Sequence, residues 1–192
     1  MKYFNEEEIN NLTIKDEDLS NIKIKSKSVD NSIFINTNLQ NSLFQNIQFT
    51  NITFENCDLS NAKFYNCSFN DISFKNCKIL GSLIDDTFLT NVSFNNSICK
   101  YMVLSNSHLK KTIFNETNLM ESSFINDDFD KIEFNNVDLS LSEFEKTKLN
   151  NIDLTSSIIA GIKVKLDCLK GALVSFEQCS DLIHLLGLKI KE

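Results

Sequence analysis

The sequence predicts an all-β solenoid, a chain wound into coils of very short extended sides. The main observation is a column: every fifth residue is apolar, in one phase, from Phe4 to Val174, with Cys99 the least hydrophobic member. Of the 16 Phe residues, 14 lie in this column, so the largest apolar side chains are reserved for it. A period of five fits neither a helix nor a plain strand, and a long series at fixed period is the mark of a repeat architecture. The residue two before the column forms a second interior series: Ile47, Ile52, Cys57, Ala62, Cys67, Ile72, Cys77, Val92, Ile132, Val137 and Ile152, with Ser or Thr at most other repeats. Residues two apart on an extended segment face the same way, so each repeat holds one short side. Asn stands two after the column at 17 repeats, among them Asn31, Asn36, Asn41, Asn46, Asn51 and Asn56. Asn tolerates the left-handed backbone of a tight corner.

Each part of the chain follows from this frame. Glu6, Glu7, Glu8, Asp16, Glu17, Asp18, Lys23, Lys25 and Lys27 surround weak early repeats and suit a solvated first coil. Pro is absent, as a ladder that uses every amide requires. In the middle, Leu83, Phe88, Ile98, Tyr101 and Val103 place apolar residues at outward positions, and Met102 is large for its inward one. This predicts either a kink with a plugged groove or a small exposed apolar patch. After Val174 the fives stop. Ser175-Phe176-Glu177-Gln178 reads as a capping box opening a helix, with Phe176, Cys179, Leu182, Ile183 and Leu186 on one face and Gly187 at its end. Leu188, Lys189 and Ile190 read as a short extended tail. The chain thus divides into a β-helix, 1–174, and a capping and dimerisation segment, 175–192. Part of the apolar helix face should cover the last coil, and the remainder should form a homodimer contact; a monomeric cap is the alternative.

The composition limits function. The 192 residues suit one solenoid domain, carry a net charge of −7 and contain no Arg, a poor endowment for binding nucleic acid directly. The polar, acidic start does not read as a signal peptide and no run approaches a membrane span, so a cytoplasmic protein is expected. The cysteines Cys57, Cys67, Cys77, Cys99, Cys168 and Cys179 include no C-x-x-C pair, and His108 and His184 are far apart. Reduced, buried thiols are expected rather than a metal site or disulfides. Gly81, Gly161, Gly171 and Gly187 form no phosphate-binding loop, and no cluster has metal or nucleophile spacing. No cofactor, metal, small-molecule substrate or enzyme activity is expected.

Runs such as Asn61-Ala62-Lys63-Phe64-Tyr65, Asp71-Ile72-Ser73-Phe74-Lys75 and Asn136-Val137-Asp138-Leu139-Ser140 resemble the pentapeptide-repeat family, whose pattern is A-(D/N)-L-X-X. The resemblance implies a right-handed quadrilateral β-helix with four repeats per coil, so that residues twenty apart stack. It gives roughly nine coils and, at ~4.8 Å each, a rod about 40 Å long. Gly171-Ala172-Leu173-Val174-Ser175-Phe176-Glu177-Gln178 and Leu185-Leu186-Gly187-Leu188 resemble the C-terminal module of Qnr-type members, which implies a tail-to-tail dimer. Phe176 and Cys179 stand where many members have Pro and Ala.

Sorting residues onto four sides gives net charges of +2, −2, −3 and −3 for the sides holding Phe64, Phe69, Phe74 and Ile79, with −1 from the tail. The last two sides share an edge whose lysines, Lys15, Lys75, Lys78 and Lys100, all lie at or before residue 100. Beyond them the edge carries Glu116, Glu121, Glu133, Asp138 and Asp153. A C-terminal dimer would repeat this acidic edge across the centre of a rod roughly 80 Å long. The expected function is DNA mimicry, an acidic rod occupying a basic groove made for DNA. Resemblance to Qnr-type proteins implies a type II topoisomerase, gyrase or topoisomerase IV, protected from fluoroquinolones. The unbroken phase leaves no room for the loops that several of those members carry. The alternative functional reading is a protein-interaction scaffold of unassigned role, and the alternative reading of the acids is a solvated face that keeps the protein soluble.

Overall fold

Corners set the architecture. The computed structural model describes residues 3–188, and in it a residue with φ near +50 to +60° recurs every fifth position from Asn11 to Asn151. All 17 of the Asn residues read as corners are in this left-handed series. Glycine fills the corner only at Gly81 within that span, and charged or bulky residues fill others, including Lys111, Glu116, Glu121, Tyr101 and Leu141. Asn side chains then bond from coil to coil, as from Asn51 Nδ2 to Asn31 Oδ1 at 2.8 Å and from Asn126 Nδ2 to Asn106 Oδ1 at 3.0 Å.

Between corners the chain is extended and pairs in parallel with the residues twenty positions away. Strand Lys23–Ile35 lies beside Leu43–Glu55, and Ser68–Lys75 beside Phe88–Asn95, with Phe34 opposite Phe54 and Phe74 opposite Phe94. The result is a parallel β-solenoid of about eight turns with a short C-terminal helix. Near the C-terminal end the extended state is interrupted, as Leu166–Leu169 forms a single helical turn, α1, while Leu173 still pairs with Asp153.

The column of fives fills the interior. Phe34, Phe54, Phe74, Phe94, Phe114 and Phe134 stack face to face with successive centroid separations of 4.8, 4.9, 4.8, 4.8 and 5.3 Å. Each buried ring contributes about 1.5–3 kcal/mol by leaving water, and the ring pairs add to that. The second interior series also points inward. Most of its hydroxyls and thiols turn toward backbone carbonyls, as Thr117 Oγ1 does toward Asn115 O and Phe94 O, both at 3.0 Å, while Thr112 Oγ1 and Ser122 Oγ find no partner among the described residues. Cys57, Cys67, Cys77, Cys99 and Cys168 are free and buried, while Cys179 is free and exposed. Burial pushes the Cys67 thiol up to about 11, and contact with Cys57 together with burial raises Cys77.

The ladder runs through the central irregularity without a break. Leu83 pairs with Val103 and Phe88 with His108 in unbroken register, and Met102 is fully buried. Of the residues read as outward, Phe88, Ile98 and Tyr101 are exposed and Leu83 and Val103 half-buried, with Phe88 on a different side of the coil from Ile98 and Tyr101.

The C-terminal cap differs from the sequence expectation. Regular helix is confined to α2, Cys179–Leu182, followed by a 3-10 turn over Ile183–Leu186 that ends at left-handed Gly187. The Ser175/Gln178 pair forms reciprocally: Ser175 N donates to Gln178 Oε1 at 2.8 Å, and Gln178 N to Ser175 Oγ at 3.4 Å. Gln178 is buried, and its Nε2 donates to Leu154 O at 2.8 Å and Ser157 O at 2.7 Å, carbonyls of the final coil. Of the five residues read as one apolar face, Leu182 packs against the core and Ile183 is half-buried, whereas Phe176, Cys179 and Leu186 are exposed. A polar side chain closes the solenoid because the open end presents carbonyls as well as apolar surface. Lys189 and Ile190, read as tail, lie outside the described residues.

Two stability predictions arise here. Asp127 occupies an inward position at 5% exposure; its Oδ1 accepts from Ser107 N at 2.8 Å, and its Oδ2 has no partner among the described residues. Burial, reinforced by the charge of Asp85, pushes its carboxyl up to about 7 from 3.8. The folded chain therefore keeps a proton that the unfolded chain releases, and stability falls as pH rises between those values, by ~1.4 kcal/mol per pH unit. The unfolding free energy of Asp127→Asn minus that of wild type should grow across this interval and level off above it; a pH-independent difference would contradict the assignment. Separately, Gln178→Leu should cost about 1–3 kcal/mol by orphaning the carbonyls of Leu154 and Ser157. Denaturant unfolding with amide exchange at residues 150–186 checks this, and unchanged protection there would deny Gln178 its capping role.

Candidate functional site

The acidic edge is built from corners and the short sides next to them. Glu116 is itself a corner residue at φ 50°, with Asn136 one coil further along. Glu133 lies beside Ile113 on one side of this edge, and Asp138 bridges Asn118 and Ile158 on the other. Asp153 pairs with Leu173 on the Glu133 side.

Two shallow depressions flank the corner line. Glu116, Asn118, Asn136, Asp138, Ser156 and Ile158 line one of about 370 Å³. Glu133, Asn135, Asn151, Asp153, Thr155 and Ser156 line a second of about 390 Å³. Ser156 belongs to both and interrupts the left-handed corner series. There Asn136 N donates to Ser156 Oγ at 3.2 Å, a hydroxyl in the place where Asn96 N and Glu116 N find the carbonyls of Asn115 and Asn135. Four of the five acids assigned to the edge are thus brought together. Glu121 is not: it occupies the corner on the far side of the Asp138 face, next in line to Tyr101 and Leu141.

These carboxylates have only short local partners. Asp153 Oδ1 accepts from Thr155 Oγ1 at 2.6 Å and Thr155 N at 2.9 Å, which holds this acid below the usual carboxylate range. Asp138 Oδ1 accepts from Ser140 N at 3.0 Å, and Glu133 Oε2 from Asn135 Nδ2 at 3.3 Å. Among the described residues no lysine pairs with any of the four within 4.0 Å. Their charge is therefore left to solvent or to a partner.

The other potential sites give less. Among the described residues no group of three or more His, Cys, Asp or Glu is placed to hold a metal ion. His108 stacks on Phe88 with centroids 5.0 Å apart and reaches Asp128 at 3.4 Å, in the open. His184 contacts Ile162 O through Nε2 at 2.9 Å and helps pin the cap. Among the described residues no helix is long and apolar enough to cross a membrane. Phe176 and Leu186, read from the sequence as a dimer contact, are exposed, and sequence reasoning missed Gln178 as the closing side chain. The capping-box motif marked Gln178, but only the fold shows which carbonyls lie beneath it.

Residues 47–124 match the family profile described as Pentapeptide repeat region. No curated protein sequence matches the chain. Among solved structures, a trypsin-treated variant of QnrB1, a plasmid-mediated fluoroquinolone resistance protein, aligns over 95% of this chain and 100% of its own, with 20% identity and a TM-score of 0.40. Full-length QnrB1 aligns over 94% and 100%, with 18% identity and a TM-score of 0.38. HetL, involved in heterocyst differentiation regulation in the cyanobacterium Nostoc, aligns over 86% of both chains, with 11% identity and a TM-score of 0.37. The profile match is confined to residues 47–124, whereas left-handed corners at five-residue spacing run from Asn11 to Asn151.

Proposed function

We propose that this protein works by binding another protein, presenting the edge formed by Glu116, Glu133, Asp138 and Asp153 to a basic surface that otherwise receives the DNA backbone. The observation that carries this reading is the density of unpaired charge. Four carboxylates fall within two coil spacings, ~10 Å, or about one per 2.5 Å of rod. Duplex DNA carries about one per 1.7 Å. A stiff solenoid holds these charges in fixed register, so little ordering is required on binding. Complementary charge of this kind raises association rates and selects basic grooves.

The target that the sequence resemblance implies is a type II topoisomerase, gyrase or topoisomerase IV, shielded from fluoroquinolones. A homodimer through Phe176, Cys179, Leu182, Ile183 and Leu186 would place two such edges on one rod. Phe176 at 88% exposure and Leu186 at 57% leave apolar surface for that contact. A second reading, an interaction scaffold that uses its apolar surface, is favoured by the exposure of Ile98 and Tyr101.

A gyrase supercoiling assay with fluoroquinolone tests the proposal. Added protein should restore supercoiling, and Glu116→Lys/Glu133→Lys/Asp138→Lys/Asp153→Lys should lose that effect by tenfold or more in concentration. No protection by the wild type at micromolar excess would remove the topoisomerase target. Equal protection by wild type and variant would remove the acidic edge.

A further inference from the structure

The coil-to-coil ladder is interrupted over half of one turn. From Ser28 to Glu145 every side of every coil pairs with the side twenty residues before it. Residues 147–156 do not pair in this way with 127–136. One coil earlier Asp128 N donates to Ser107 O at 2.9 Å, Lys111 N to Asp130 O at 2.8 Å and Glu133 N to Thr112 O at 3.0 Å. Among the described residues the equivalent bonds of Lys148 N, Lys131 N and Asp153 N do not form. Lys148 stands twenty residues after Asp128, yet the two make no ion pair within 4.0 Å. The ladder then resumes. Ile158 N donates to Val137 O and Leu141 N to Ala160 O, both at 2.9 Å, and Glu143 and Phe144 pair with Lys163 and Val164.

The gap reaches the core. Phe129 alone among the phenylalanines of the column is half-buried rather than buried. Ile132 and Phe134 from the lower arc and Asn151, Asp153 and Thr155 from the upper arc line the depression of about 390 Å³, which is the mouth of the gap. The cause is local. Asp153 Oδ1 takes the Thr155 amide at 2.9 Å, and Ser156 has left the left-handed corner series, so this repeat turns on its own side chains. The hydrogen bonds that do span the gap are hydroxyl contacts, such as Asp127 N to Thr147 Oγ1 at 3.0 Å and Asn136 N to Ser156 Oγ at 3.2 Å.

The upper arc belongs to the cap instead. Leu149 N donates to Cys168 O at 2.8 Å and Leu154 N to Leu173 O at 2.9 Å, and Leu154 O accepts the buried amide of Gln178. The last coil and the cap are thus one bonded unit, fixed to the rod by backbone pairs on two adjacent sides and free of them on the other two.

We propose that this gap is a hinge. Residues 147–186 move as one flap about the ladder that joins 137–146 to 157–166, with the widest opening at the Lys131 corner, across the coil from Leu141. A few hydroxyl contacts and the packing of Leu149 and Leu154 hold it shut, so it opens at less cost than the fully paired coils. The hinge goes beyond the acidic-edge reading and stands without it. Within that reading, Glu116, Glu133 and Asp138 keep their register on the rod, and Asp153 rides on the flap.

Amide exchange on the wild-type chain, followed by NMR, tests the gap, and pulsed EPR tests the motion. The amides of Phe129, Lys131, Lys148 and Asn150 should exchange about a hundredfold faster than those of Leu109, Lys111, Leu141 and Ile158. Spin labels at Thr90→Cys/Asn150→Cys span the gap, whereas labels at Asn70→Cys/Asp130→Cys span three coil spacings of intact ladder on the same side. Both pairs are made with Cys179→Ser and diluted with unlabelled chain. The first pair should give a distance distribution at least twice as broad as the second. Equal widths overturn the hinge, and so does protection of the gap amides equal to that of Leu109 and Lys111. Exchange at Leu141 and Ile158 as fast as in the gap also overturns it, because the last coil would then unravel rather than swing.

Discussion

Everything in this molecule depends on the hydrogen-bonded ladder between residues twenty positions apart. A parallel ladder leaves no amide to spare, and it closes only if the chain turns a corner every five residues without losing phase. The left-handed corner is the unit that makes this possible. At most corners Asn supplies it, at low steric cost and with an amide free to bond the next coil. The interior follows from it: once every coil has the same perimeter, like residues fall on like, and phenylalanines stack on phenylalanines at the spacing of the backbone.

The same register controls the outside. Because each outward column is a straight line along the rod, a few substitutions twenty residues apart write a stripe. One edge carries acids without lysine partners, and one face carries exposed hydrophobes interspersed with Asp58, Lys78, Lys100 and Asp138.

Much of this was legible in the sequence because a solenoid makes spatial neighbours out of sequence arithmetic. The column from Phe4 to Val174 shows the inward direction, and the Asn series shows the corners. Counting by twenty places Glu116 near Asp138 and Glu133 near Asp153. What was illegible lies where the repeat stops governing. Helical periodicity suggested a continuous apolar helix after Val174, but the open coil end needed an amide donor, so Gln178 went inside and Phe176 stayed out. Glu121 was grouped with the acidic edge because it shares a side with Asp138. Its corner turns it toward the opposite edge, a difference of three residues around the coil that composition by side cannot register. Asp127 had no sequence signal beyond its inward phase, since Ser and Thr share that column.

The phase rule itself is open to a direct measurement. Deleting residues 61–80 removes one whole coil and leaves Gly81 as the corner in the place of Asn61, whereas deleting residues 61–79 removes one residue fewer and shifts every later column. The twenty-residue deletion should retain β-rich circular dichroism and cooperative unfolding at reduced denaturant concentration, because a solenoid loses stability coil by coil. The nineteen-residue deletion should lose cooperative unfolding. Similar stability in the two deletions would contradict the claim that a five-residue phase in coils of twenty holds this structure together.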